Sequence, residues 1–354
     1  MAHRPFFSIT IPTFNRPGDL KKAIKSFLIQ DFSDFEIVVS DNSENNDSEK
    51  ICSSFKDYRI KYSRNKTNIG FARNLYKVIK QASGKYIFLF GDDDLIFKSD
   101  CLNNISKILK KYAYGYLRLK VLYHKDLQYL FDFSSTEKIY LKKNSSSLTA
   151  LKFLFSVSFS MISGNIFLND PNYSIPEIEK AADPDFLMEA FWIKFIYQKA
   201  KKYGAFYDTD NIIIQKWIIH EKNLAGASRN TPGIYDVTDN KIYVEKSWDL
   251  IFTELNSWEK QLWIKEQIFL MIPLLPSFKY YSSNSNLLLF VKRMIELERS
   301  LLYQPLFYMY LAIALFMPKG LWNILRTVVQ KYKIVRNPQF NSHLENLKDS
   351  LRAL

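Results

Sequence analysis

Lys85 to Leu95 read KYIFLFGDDDL, an apolar run that ends in three consecutive carboxylates, Asp92, Asp93 and Asp94. A strand with no polar face is one buried on both sides, as in parallel sheets covered by helices. The acids then fall at its carboxyl end, where open α/β sheets bind ligands. Adjacent carboxylates repel one another, so a site that keeps them ionised needs a cation, and oxygen-only donors suit Mg²⁺ or Mn²⁺. The plainer alternative is a solvated acidic loop that caps the next helix.

Upstream of this stretch, strands and helices alternate. Phe6 to Thr13 read as a strand, and Asn15-Arg16-Pro17 opens a helix with proline in its first turn. Leu20, Ala23, Ile24, Phe27 and Leu28 recur at helical spacing, with Lys21, Lys22 and Lys25 off the stripe. A second strand, Phe35 to Ser40, runs into Asp41-Asn42-Ser43, and the polar tract Glu44 to Glu49 opens a short helix. Arg59 to Arg64 reads as a third strand, followed by a helix marked by Phe71, Leu75, Val78, Ile79 and Ala82. This alternation predicts an α/β domain with a largely parallel sheet and right-handed crossovers.

Downstream the pattern weakens. Helices are expected near Cys101 to Lys111, Leu148 to Ser156 and Ala182 to Lys202, and strands near Tyr116 to Tyr123, Ile162 to Leu168 and Ile212 to Ile219. From about Ile242 long helical patterns take over, giving an expected division into an α/β domain at 1–240 and a helical region at 241–354. Between Arg299 and His343 there is no Asp or Glu, while Lys319, Arg326, Lys331, Lys333 and Arg336 are all basic. Leu301 to Pro318 is uncharged and aromatic, but Pro305 interrupts it, which argues against a continuous span of ~20 apolar residues. A segment lying in the interface of an anionic membrane is the expectation, with internal packing as the alternative.

The formal charge of +13 on 354 residues points to a polyanionic partner. Two cysteines, Cys52 and Cys101, make no disulfide framework and are expected as buried thiols. They point to a reducing cytoplasm, and the opening MAHRPFFSITIP lacks the basic region, long apolar run and cleavage site of a signal peptide, so none is expected.

Four motifs recur in order on the expected elements: Ile11-Pro12-Thr13-Phe14-Asn15-Arg16, Asp41-Asn42-Ser43, Asn68 to Asn74, and Gly91-Asp92-Asp93-Asp94. As a set they resemble the family 2 glycosyltransferases of GT-A fold, a Rossmann-like, mostly parallel sheet flanked by helices. The likeness covers Phe6 to Leu95 well and extends to about Ser228. It implies a nucleotide-sugar donor, with a UDP-sugar favoured, a divalent metal (Mn²⁺ or Mg²⁺) and inversion at the anomeric carbon. By position, Pro12, Thr13 and Asn15 or Arg16 would line the nucleotide, and Asp41 would hydrogen-bond the base. Arg73 and Asn74 would approach the donor, although Arg73 also suits a helix surface.

The commonest family pattern begins with Asp where this chain has Gly91. Either Asp92 and Asp94 form the Asp-x-Asp pair, or Asp93 and Asp94 carry the metal contacts; Asp92 and Asp93 are also placed at the donor. Inversion needs a base for the acceptor hydroxyl. The resemblance puts it at the start of a helix beyond the metal motif, where Glu179, Asp183 and Asp185 are available and Asp185 matches best. Asp183 as an N-cap and Asp185 as a first-turn acid is the structural alternative. His220, at the end of the last expected strand, would reach the metal or diphosphate, or serve a structural role.

The expected function is thus an inverting, metal-dependent glycosyltransferase. It would act at the inner face of the cytoplasmic membrane on a glycan acceptor, lipid-linked, in bacterial surface polysaccharide or lipopolysaccharide assembly. A non-catalytic nucleotide- or nucleic-acid-binding scaffold on the same fold is the alternative. The P-loop sequence GxxxxGK[ST] does not occur, and no helix-turn-helix, zinc or RNP-type signature appears, so no nucleic-acid partner is expected.

Overall fold

The computed structural model describes residues 3–125, 129–131, 137–156, 162–170, 191–216, 237–238, 241–242, 255–276, 284–318, 320–321, 324–325, 328 and 338–353. The chain divides into two compact units, Met1–Ser228 with Lys333–Leu354, and Arg229–Tyr332.

The first unit is built on one mixed sheet. β1 (Phe7–Thr13) and β2 (Phe35–Asp41) are buried along their whole length, as strands covered on both faces must be. β3 (Ile60–Arg64) lies at the edge, and β4 (Tyr86–Leu89) flanks β1 on its other side; these four strands are parallel. The connecting helices are α1 (Pro17–Leu28), α2 (Asp47–Ser54) and α3 (Phe71–Gln81). The stripe expected on α1 is the buried one: Leu20, Ala23, Ile24 and Phe27 are each fully enclosed. Cys52 and Cys101 are free and buried.

Beyond β4 the sheet continues through β5 (Leu95–Ile96), β6 (Tyr116–Lys125), β7 (Tyr129–Phe131), β8 (Ile139–Leu141), β9 (Asn165–Leu168) and β10 (Ala205–Lys216), in the order β3-β2-β1-β4-β9-β6-β10-β5, with β7 on β6 and β8 on β10. α4 (Cys101–Tyr112), α5 (Ser147–Ser156) and α6 (Phe191–Tyr203) accompany these strands. The expectation of a largely parallel sheet holds for β3 to β4 and for the β6–β10 pair, and elsewhere the sheet is mixed. β9 runs antiparallel between β4 and β6, and β10 is parallel to β6 but antiparallel to β5 and β8. An apolar run reads the same in either direction, so burial alone does not encode strand polarity.

Glu36 on β2 carries a testable part of this framework. It is 3% exposed and accepts hydrogen bonds from Ser8 Oγ (2.5 Å), Ser83 N (2.7 Å) and Ser83 Oγ (2.9 Å), and pairs with Lys61. Burial alone would raise its pKa, but Lys61, Ser8 and Ser83 outweigh it and hold the carboxyl below its ordinary value. A depressed carboxylate stabilises the fold above its unfolded pKa, and that contribution is lost as pH falls through the folded value. Glu36→Gln is therefore expected to cost about 1–3 kcal/mol at neutral pH and to flatten the acid limb of stability, measured by urea unfolding between neutral and acid pH.

The last helix, α10 (Pro338–Ala353, numbered after the three helices below), belongs with this unit and not with the C-terminal helical region where the sequence placed it. Leu344 and Leu347 pack with Leu95, Phe97, Leu122, Ile212 and Ile214, next to the acid-bearing turn. Lys25, expected to face away from the core, is 5% exposed because α10 covers it; its Nζ donates to the Leu351 carbonyl at 3.0 Å. A lysine at the last carbonyls of a helix suits both its orphan acceptors and its dipole.

The second unit is helical. α7 (Ser257–Met271) opens with a capping box, Asn256 accepting from Glu259 N while the Glu259 side chain accepts from Asn256 N. α8 (Asn284–Leu297) and α9 (Pro305–Phe316) follow, and Ile268, Leu287, Met294, Leu301 and Phe307 form its core. α9 is apolar on every side, yet Phe307 and Ala314 are its buried residues. Leu306, Tyr308, Met309, Leu315 and Phe316 are exposed. Among the described residues no helix is long and apolar enough to cross a membrane.

Candidate active site

The carboxyl ends of β1, β2 and β4 come together around the acid turn. β1 pairs with both neighbours in register, so Thr13 lies beside Asp41, and the backbone N–H of Phe90 donates to the Thr10 carbonyl. The chain leaves β1 through Asn15, whose backbone is left-handed (φ 54°), a conformation asparagine tolerates better than most residues. Asn15 N donates to Ser43 Oγ at 2.7 Å, pinning this turn to the end of β2. The reversal delivers Arg16 to the acids and Pro17 to the first turn of α1.

Each acid has a different environment. Asp92 accepts from Thr13 Oγ1 (2.7 Å) on one oxygen and from Arg16 Nη1 (3.3 Å) on the other. Asp93 is the more open of the two; its Oδ2 accepts from the same Arg16 nitrogen at 2.8 Å. Asp94 is turned under the loop, where it accepts from Ser163 Oγ and from Gln215 Nε2 (3.1 Å). Ser163 Oγ in turn accepts from Gly91 N at 2.7 Å, and the buried Arg118 donates to the Ser163 carbonyl.

Gly91 explains the departure from an acid at the head of this motif. A Cβ there would lie 2.9 Å from Asp94 Oδ2, so any side chain would push the tucked carboxylate out. Gly164, just before β9, plays the matching part: its φ of +86° is left-handed, and a Cβ would meet the Arg118 guanidinium at 2.9 Å.

Burial, reinforced by the Asp93 charge, pushes the Asp92 and Asp94 carboxyls well above the usual carboxylate range. Burial also works against the Arg16 charge, but Asp92 and Asp93 win and raise its pKa. The turn therefore favours a bound cation. Its donors are hard carboxylate oxygens, which suit Mg²⁺ or Mn²⁺, and Asp92 and Asp93 offer them beside Arg16. Asp94, expected at the metal, has the oxygen that faces its neighbours committed to Ser163 and Gln215. Among the described residues no three His, Cys, Asp or Glu side chains stand ready to hold a metal ion.

The remaining expected residues divide between the rim and the framework. Asp41 is fully buried: Oδ1 accepts from Ser43 N (2.7 Å) and Ser43 Oγ (2.5 Å), and Oδ2 from Tyr62 OH (2.8 Å). Asn74 is 2% exposed and donates to the Ser40 carbonyl at 2.9 Å and the Thr13 carbonyl at 3.4 Å, while accepting from Asn65 Nδ2 at 3.0 Å. Its amide thus ties the ends of β1 and β2 together. Arg73, one residue earlier on α3, is half-buried, and Pro12 is enclosed on β1. Asp183, Asp185, Glu179 and His220 lie outside the described residues.

Ser163, Gln215 and Asn65 escaped the sequence reading. Gln215 had a signal: it is the one polar side chain from Ile212 to Gln215, in a strand whose other residues there are β-branched and apolar. Asn65 had none, since it sits in a loop that reads as an ordinary turn, and Ser163 was hidden within the expected strand from Ile162, which in the structure begins only at Asn165.

Residues 8–167 match the family model described as Glycosyl transferase family 2. The chain is 36% identical over 113 residues to the GalNAc(5)-diNAcBac-PP-undecaprenol beta-1,3-glucosyltransferase of Campylobacter jejuni, across 31% of this chain and 37% of that protein. It is 34% identical over 115 residues to the abequosyltransferase RfbV of Salmonella typhimurium, across 31% of this chain and 34% of that one. The chain thus spans about a third of the length of these curated relatives. Among solved structures, residues 1–349 of S. aureus TarS in complex with UDP-GlcNAc share the fold at a TM-score of 0.50 and 17% identity, over 83% of this chain and 90% of that one.

Proposed function

The chain belongs to the family 2 glycosyl transferases through residues 8–167, with the GT-A fold, and from that premise we infer an inverting transfer of a sugar from a nucleotide-sugar to a hydroxyl of a glycan acceptor. The observation that carries this reading is the acid turn: Asp92 and Asp93 meet at the carboxyl end of a buried strand, with the Arg16 guanidinium between them.

Asp92 and Asp93 would hold the divalent metal. When bound, the metal offsets charge on the departing diphosphate. Thr13 fixes the Asp92 carboxylate in orientation, so the donor meets a preorganised edge. Pro12, Asn15 and Arg73 would lie at the nucleotide near the same strand ends. Asp41 acts there through Ser43 and Tyr62, whose positions it fixes, and Asn74 keeps the ends of β1 and β2 together. Asp185 at the start of its helix is the proposed base, with Asp183 as the alternative, and His220 the proposed third contact to metal or diphosphate. Release of UDP, GDP, CDP or dTDP from the matching sugar donor, dependent on a glycan acceptor, tests the reading; release from none of them contradicts it. UDP is the expected leaving group.

The acceptor is proposed to be lipid-linked, in bacterial surface-glycan assembly at the inner face of the cytoplasmic membrane. The Campylobacter relative, whose name carries a PP-undecaprenol moiety, supports this. So does α9, an all-round apolar helix with Leu306 60% and Phe316 81% exposed, in a stretch without a single acid from 300 to 344. Its 12 residues span about 18 Å, too short for a hydrocarbon core of roughly 30 Å, so it would lie in the interface. Leu306→Glu combined with Phe316→Glu is expected to weaken binding to phosphatidylglycerol vesicles at least tenfold, since each lost apolar burial is worth about 1.5–3 kcal/mol. Unchanged flotation of the double variant would contradict the interfacial placement.

A further inference from the structure

The acid turn is occupied by the protein's own cation. A single nitrogen, Arg16 Nη1, lies 3.3 Å from Asp92 Oδ1 and 2.8 Å from Asp93 Oδ2. One atom bridging one oxygen from each of two neighbouring carboxylates is the arrangement a monatomic cation adopts. The geometry is built in: the left-handed Asn15 and its bond to Ser43 aim Arg16 at the turn, and Thr13 holds the far oxygen of Asp92 so that Oδ1 faces the guanidinium.

Arg16 precedes the first turn of α1, its guanidinium is held by the two acids, and its side chain is 30% exposed, so one side of it is open to solvent. Two ionised carboxylates this close repel one another, so a positive partner between Asp92 and Asp93 favours their charged form. A divalent ion held by Asp92 and Asp93 would compete with the guanidinium for the same carboxylates.

We propose that Arg16 is a built-in counter-ion which holds the metal position in the donor-free protein, so that a divalent cation binds only when the guanidinium leaves Asp92 and Asp93. This inference rests on the glycosyltransferase reading above. Two consequences follow. Metal binds the donor-free protein weakly, because the competent state is only a fraction of the population. A nucleoside diphosphate draws the guanidinium onto its own oxygens, so donor and metal strengthen each other's binding. The arrangement would keep the acid turn neutralised without committing it to a loosely held metal ion.

The test is a titration of the full chain with Mn²⁺ alone, following free Mn²⁺ by electron paramagnetic resonance, for wild type, Arg16→Gln and Arg16→Lys. Each is then repeated with UDP, GDP, CDP and dTDP in turn. Arg16→Gln is expected to bind Mn²⁺ at least tenfold tighter than wild type without nucleotide, and to lose most of the tightening that nucleotide gives wild type. Arg16→Lys, which keeps a charge but not the fork, should fall between them. The thermal midpoint of each variant, expected within a few degrees of wild type, checks the fold. Equal or weaker Mn²⁺ binding by Arg16→Gln overturns the proposal, as does no Mn²⁺ binding by any of the three. If that happens while a nucleotide-sugar still binds, the counter-ion falls and the glycosyltransferase reading stands. If no nucleotide-sugar binds either, both fall.

Discussion

Asp93→Ala is expected to lower kcat/KM for sugar transfer about 10²–10³-fold while leaving the thermal midpoint near that of wild type. Asp93 is the most open carboxylate of the three, and its partner Arg16 is itself solvent-accessible, so the truncation strands no buried group. What it removes is half of the cation site between Asp92 and Asp93. Asp94→Ala should behave differently. Ser163 Oγ and Gln215 Nε2 would lose their shared acceptor in a buried setting, at a cost of about 1–3 kcal/mol, so stability as well as turnover should fall. Steady-state transfer kinetics and thermal unfolding, run on both variants side by side, distinguish the two roles. An Asp93→Ala enzyme with wild-type kcat/KM would remove Asp93 from the metal site.

Asp185→Asn is expected to leave nucleotide-sugar affinity within a few-fold of wild type and to lower transfer by about 10²–10⁴-fold, the range for loss of a positioned general base. Asparagine keeps the size and polarity of the aspartate but cannot take the acceptor's proton. The expected signature is a fall in kcat with little change in donor binding by calorimetry. If Asp185→Asn transfers at the wild-type rate while Asp183→Asn does not, the base is Asp183. If neither substitution slows transfer, the inverting base lies elsewhere.

The sequence was most informative where burial and periodicity coincide. β1, β2 and β4 were legible because strands enclosed on both faces are apolar throughout, and α1 because Leu20, Ala23, Ile24 and Phe27 mark a single stripe. The motifs at the ends of these strands converge for the same reason: a parallel sheet brings its carboxyl ends to one edge. β10 was read only from Ile212 onward. Its first half, Ala205 to Asp208, is interrupted by a register shift where Asp208 accepts from Asp210 N and Asn211 Nδ2, and Thr209-Asp210-Asn211 looks like a turn in sequence.

The same reasoning brought the candidate residues to one edge of the sheet without saying what each one touches. Asp41 and Asn74 were expected to face the donor and instead spend their polar atoms on Ser43, Tyr62, Ser40 and Asn65. Spacing places a polar residue at the end of a strand, but whether its side chain turns out to the ligand or back to the framework is decided by neighbours from distant parts of the chain. Asp94 is the clearest case, since its two partners lie 69 and 121 residues away. α10 was misplaced for a related reason: its apolar stripe of Leu344, Leu347 and Leu351 announces a buried face without saying which unit it covers.

Calorimetric titration of the full chain with UDP-, GDP-, CDP- and dTDP-sugars, each with and without Mn²⁺, tests the central claim most directly. The account predicts that one nucleotide class, expected to be UDP, binds with micromolar-range affinity only when Mn²⁺ is present, and that Asp93→Ala abolishes the heat. Absence of binding to all four classes with Mn²⁺ present would contradict it.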